Sequence, residues 1–232
     1  MTLLGFLWEE AQVSTPRVLT SRHPLVLALA LGLVAAGATT GHAQDFSCDY
    51  DARVQIGTIA ASQSPYLNEA SGLVQSRTQP DVFWSHQDNS GDERIFAIRR
   101  DGTYLGTWDL AVGPARDPED IAIGPGPVPG VDYIYFGDVG YNNGVWGCTP
   151  QSCTERDLIV WRAVEPSVDP DQAFVSVASY PADTITLKFP DAYMVGQRQD
   201  VETLMVDPLN GDIYIVTKRS TPGMVFRAPF PH

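Results

Sequence analysis

Apolar residues along this chain come in short runs rich in Val, Ile, Tyr, Phe and Trp, each cut off by Gly, Pro, Asn or Asp. Branched and aromatic side chains suit a pleated surface and the small polar ones suit turns, so from Gln44 onward the pattern predicts strands and no long helix. A first group of four strands is expected at Gly72–Val74, Val82–Ser85, Arg94–Ile98 and Tyr104–Leu110, with Asp101-Gly102 as a two-residue hairpin turn. A second group is expected at Ile121–Ile123, Tyr133–Phe136, Leu158–Trp161 and Thr184–Phe189. Thr203–Val206, Ile213–Val216 and Met224–Phe226 make a third, turned at Asn210-Gly211.

The groups are echoes of one another. Glu69, Glu119 and Glu202 lead them, and the Asp that opens the second strand follows after 12, 13 and 10 residues, at Asp81, Asp132 and Asp212. From that Asp to the third strand the spacing is 13 and 12 in the outer groups but 25 in the middle one, the excess falling on Gly144–Arg156. Repeated four-stranded antiparallel meanders of this length imply a β-propeller, and a β-sandwich would not account for the recurring Glu. The expected fold is therefore all-β, with blades at about 69–117, 118–199 and 200–232. That makes roughly two and three-quarter blades where a propeller needs about four, so the chain reads as an incomplete propeller, a fragment or a self-assembling piece.

Residues 1–43 stand apart. Arg17 and Arg22 precede an apolar run from Leu25 to Ala38, and Gly41-His42-Ala43 supplies the small residues of a cleavage site. This is a signal-peptide pattern with cleavage before Gln44. A membrane anchor is the competing reading, but the run is shorter than a spanning helix needs and contains Gly and Thr. Trp8-Glu9-Glu10 is foreign to a leader and suggests a start site further downstream. Residues 44–68 form an N-terminal segment. Cleavage leaves 26 acids against 13 bases, a net charge of −13. That balance argues against nucleic acid and anionic lipid as main partners, and suits a secreted or periplasmic protein, or one that binds cations. In the same oxidising location Cys148 and Cys153, at the ends of a four-residue spacer, are expected to form a local disulfide stapling the inserted loop. A zinc site there would lack further ligands. Cys48 is left without an obvious partner.

In a blade the innermost strand starts on one face, and the loop after the second strand returns to it. Glu69, Glu119 with Asp120, and Asp200 with Glu202 should meet there with His86, Asp88, Asn89, Asp92, Asp138, Asn142, Asn143, Thr217 and Lys218. Glu69, His86, Asp88, Glu119, Asp138, Asn142, Glu202 and Lys218 are accordingly the expected ligand-binding set. Such a ring of carboxylates and amides suits Ca²⁺, with Asp88, Glu119 and Asp138 as ligands. The alternative is that each acid accepts backbone hydrogen bonds at a turn and keeps the blades in register, which needs no metal. His86 is a weak candidate for catalysis, and more often a histidine so placed is a turn residue. Lys218 could bind an anionic group or pair with Glu202 across the channel; pairing is the favoured expectation. No nucleophile elbow, phosphate-binding loop, dinucleotide fingerprint or zinc-protease motif occurs.

The segments Glu69–Leu73, Ser85–Gly91, Glu119–Gly124, Gly137–Asn142 and Asp200–Glu202, with Thr217-Lys218, resemble exported bacterial β-propellers of the phytase-like and regucalcin- or NHL-like kind over about residues 66–230. The resemblance is specific for fold and weak for activity. It implies three readings: a protein binding a small molecule or a protein partner on its acidic face, a metal-dependent hydrolase of phosphoesters or lactones, or an interaction module of a larger cell-surface protein. Phytase-like sites carry several basic residues for phosphate, and around the expected mouth only Lys218 and Arg219 qualify.

Overall fold

A computed structural model describes residues 55–59, 67–141, 157–169, 171, 174–190, 200–218 and 222–232. All of them lie in one unit, Asp51–His232. The leader-like segment 1–43, all three cysteines, Asn142, Asn143 and Arg219 lie outside the described residues.

The described chain is all-β. Twelve strands form three sheets, and no helix occurs among the described residues. The first sheet holds β1 (Ala70–Gln75), β2 (Val82–Gln87), β3 (Arg94–Arg99) and β4 (Tyr104–Leu110) as an antiparallel meander. The second holds β5 (Asp120–Pro125), β6 (Asp132–Asp138), β7 (Leu158–Val164) and β9 (Asp183–Leu187). The third holds β10 (Asp200–Val206), β11 (Ile213–Lys218) and β12 (Val225–Ala228). These are the eleven strands that the hydrophobic runs predict.

The twelfth strand was not expected. β8 (Val175–Tyr180) falls within 118–199, yet it leaves the second sheet and pairs in parallel with β4, Gly106 opposite Val175 and Trp108 opposite Val177. No residue of it is fully buried, so its weak alternation of Val with Ser and Ala does not announce a strand.

The sheets stack face to face. Trp84, Ile95, Ala97 and Trp108 of the first meet Ile121, Ile123, Ile134, Phe136 and Trp161 of the second. The opposite face of the second sheet, with Ala122, Tyr133, Tyr135, Val160 and Ile185, meets Val201, Leu204, Val206, Ile213 and Ile215 of the third. Because both faces are covered, β6 reads as an unbroken apolar run from Tyr133 to Phe136. β11 is covered on one face only among the described residues and alternates accordingly. The far face of the first sheet, with Phe96, Ile98 and Tyr104, is covered by Leu67 and Ile59 of the N-terminal segment.

The inner strands β1, β5 and β10 run side by side although they belong to different sheets. With no ladder between them, side chains bond the backbone instead. Ser71 Oγ donates to the Glu119 carbonyl (3.2 Å), and Asp120 Oδ2 accepts from the Leu204 amide (2.8 Å). Gly72 permits the closest approach. It sits in a bulge at φ 45°, and any Cβ there would lie 2.9 Å from Asp120 Oδ1, the Ile121 amide nitrogen and His86 Nε2.

Trp84 is the anchor of the first interface. It is fully buried, packs edge-on against Trp108 at 5.1 Å, and donates its indole N–H to Glu165 (2.8 Å). Trp84→Ala removes both contacts and leaves a cavity, so denaturant unfolding should show a loss of about 3–5 kcal/mol. Trp84→Phe, which keeps most of the packing, should lose clearly less.

Candidate functional site

Strand register decides which acids meet. Ala70 lies opposite Gln87, Asp120 opposite Gly137 and Asp200 opposite Lys218, so the starts of β1, β5 and β10 share one end with the finishes of β2, β6 and β11. β5 has an inner strand on each side, and the turn leading into it is flanked by acids from both neighbours.

Two groups of carboxylates form there. Asp88, Asp117 and Glu119 bring one oxygen each within 4.8 Å of one another, and so do Glu119, Asp200 and Glu202. Glu119 belongs to both. It is 9% exposed, and no hydrogen bond or ion pair reaches its carboxylate among the described residues. Burial, then the charges of Glu202, Asp117, Asp88 and Asp200, push its pKa up to about 8. Asp88 is also raised, by its partial burial first and then by Asp117, Glu202 and Glu69, with Lys218 opposing.

The expected site residues separate into those that join this cluster and those that support it. Asp88, Glu119 and Glu202 join it. Lys218 pairs with Glu202 at 2.6 Å, but along adjacent strands of one sheet and not across a channel. Glu69 is exposed, and its backbone amide donates to Gln87 Oε1 (2.8 Å). Asp138 belongs to neither carboxylate group. It is 1% exposed and accepts from the amides of Arg116 (3.0 Å) and Asp117 (2.7 Å) and from the Arg116 guanidinium (3.2 Å). Its two oxygens are spent holding the turn that presents Asp117 and Glu119. Asp92 is held by Arg94 (2.5 Å).

His86 is wholly buried and belongs to neither group. Its ring lies edge-on to Phe136 at 5.1 Å, with Nδ1 3.0 Å from the Gln87 carbonyl. Nε2 has no hydrogen bond of good geometry, although the Glu119 carbonyl lies close enough to favour a proton on the ring. Burial outweighs that carbonyl, the Gln87 carbonyl and the Asp92 charge and lowers the pKa to about 4. A neutral, enclosed imidazole of this kind is a packing group.

Asp117 was missed by sequence reasoning, which took the acids of this segment as Glu119 and Asp120 only. The available signal was Asp117-Pro118-Glu119-Asp120, three acids around one proline immediately before a strand. Asp200 was expected at this end but not among the ligands; its Oδ1 accepts from the Tyr141 amide (2.6 Å).

Proton linkage gives the cluster a measurable signature in chelator. The fold holds the Glu119 proton up to about pH 8, whereas the unfolded chain releases it near 4.5, so this term removes stability as pH rises between those values. His86 works oppositely between about 6.5 and 4, where the unfolded chain takes a proton that the fold refuses. The two slopes, each about 1.4 kcal/mol per pH unit, offset below pH 6.5 and leave Glu119 alone above it. The unfolding free energy of the wild type should therefore fall between pH 6.5 and 8, and that of Glu119→Gln should be flatter over the same range.

No protein-family model matches this chain, and no curated protein and no solved structure matches it either.

Proposed function

We propose that this chain is an exported protein of β-propeller type that binds Ca²⁺ at the acidic end of its inner strands and uses that end to hold a small molecule or a protein. The propeller part of the reading is supported by three sheets that each begin on an inner strand lying beside the next, β1 by β5 and β5 by β10. Export is supported by the leader-like pattern of residues 1–43 and an acid excess of 13.

The cation reading rests on Glu119. A carboxylate on a residue only 9% exposed, with four other carboxylates around it and no hydrogen bond to it among the described residues, is unfavourable unless a proton or a cation joins it. Each group offers three carboxylates with one oxygen each within 4.8 Å of the others, an all-oxygen set that suits a hard cation such as Ca²⁺.

Hydrolysis of phosphoesters has less support. The basic residues carried by these elements are engaged, Lys218 with Glu202 and Arg116 with Asp138, and His86 is enclosed. A binding role requires no such groups.

Calorimetry and thermal unfolding at pH 8 test the proposal. Ca²⁺ at a hundredfold excess over its dissociation constant should stabilise the protein by about 2.7 kcal/mol. Glu119→Gln should lose that stabilisation, and Asp117→Asn and Asp200→Asn would show which group holds the ion. Absence of heat and of stabilisation with millimolar Ca²⁺ would overturn the cation reading, and Ca²⁺-dependent turnover of a phosphoester or lactone would favour the hydrolase.

A further inference from the structure

We infer that Gly140 is the positioning residue of this site: by lacking a side chain it leaves the space in which the Glu119 carboxylate stands between the two acid groups. The inference rests on the reading of the cluster as a cation site.

Gly140 lies just past the end of β6 and is buried. A Cβ built on it would fall 2.5 Å from Glu119 Cγ and 2.7 Å from Cδ and would overlap Oε1. Separations below about 3 Å between such atoms require one of them to move. The Gly140 backbone is not in the left-handed region, so alanine is compatible with it and the conflict is one of space alone. Glu119 cannot retreat as a whole, because its amide is tied to the Gly137 carbonyl at 2.9 Å and its carbonyl to Ser71 Oγ.

The neighbours of Gly140 point the same way. Its own amide donates to the Asp117 carbonyl (3.0 Å), and the next amide, of Tyr141, donates to Asp200 Oδ1 (2.6 Å). Two consecutive residues thus touch one member of each carboxylate group and leave the gap between them to the acid the groups share. Filling that gap turns Glu119 away from both groups at once while every other acid stays in place.

Gly140→Ala in the full chain is the test, read by Ca²⁺ calorimetry. Its affinity should fall about tenfold or more. Gly113→Ala, where a Cβ meets nothing within 4 Å, should bind as wild type. Wild-type affinity in Gly140→Ala would overturn the inference.

If the wild type itself takes up no Ca²⁺, the proposed function fails and the inference is judged on unfolding in chelator. Gly140→Ala should then destabilise the protein when Glu119 is present and cost little in a Glu119→Ala background; equal costs in both would overturn it. Should Gly140→Ala alone fail to fold, recovery of folding in the Gly140→Ala, Glu119→Ala double variant supports the inference, and failure of that variant as well refutes it.

Discussion

The approach of β5 to an inner strand on either side is the constraint on which the rest of this structure depends. β1, β5 and β10 belong to separate sheets, so their facing edges cannot satisfy each other through a ladder. Buried backbone groups left unpaired would cost roughly 1–3 kcal/mol each. Ser71 and Asp120 answer that cost by bonding a neighbour's backbone, and Gly72 lets the backbones come close enough for them to reach. Once the strands are fixed at this separation, the residues just before them have nowhere else to go. The convergence of acids at one end is thus a consequence of the packing between sheets.

That convergence is electrostatically expensive, and most of the carboxylates are provided for. Asp138 has two amides and a guanidinium, Asp200 has an amide, Asp92 has Arg94, and Glu202 has Lys218. Asp120 is buried enough for its pKa to rise, but the amides of Leu204 and Ile121 oppose the shift. Glu119 receives the burial and the repulsion without a compensating donor among the described residues, and its pKa rises to about 8. His86, a few residues from the cluster in space but enclosed by Phe136 and the first two inner strands, relieves none of this because burial keeps it neutral.

Much of the fold was legible in the sequence for a definite reason. β6 and β7 bury both faces, so their apolar residues run together; β2 and β3 behave likewise; and Asp101-Gly102 and Asn210-Gly211 mark tight turns that the structure keeps. β8 was illegible because a strand added to an outer edge buries little, and its alternation of Val with Ser and Ala is too weak to separate from a loop. Its transfer to the first sheet was beyond reach as well, since parallel pairing with β4 depends on where the preceding connection lies and leaves no local mark. At the site, residue type and strand position located Asp88, Glu119 and Glu202. They could not distinguish Asp138 from Asp117, because that distinction turns on which backbone amides face each carboxylate.

The same limit explains why the repeats mislead about function when taken by themselves. Glu69 and Glu119 stand just before β1 and β5, whereas Glu202 sits within β10 at its bulge, and nothing in the identity of the three acids separates them. Their surroundings do. Glu69 leads the strand at one end of the series and remains exposed, and Glu202 is half-buried against Lys218. Only β5 has an inner strand on both sides among the described residues, so only the acid leading it is pressed upon by carboxylates from two neighbours. An acid that closes a hydrogen-bonded turn is already satisfied and gains little from a cation. One that the packing buries without a donor gains most. Among the described residues, the candidate for chemistry is therefore set by position in the series of sheets: it is the acid leading the strand that has an inner strand on both sides.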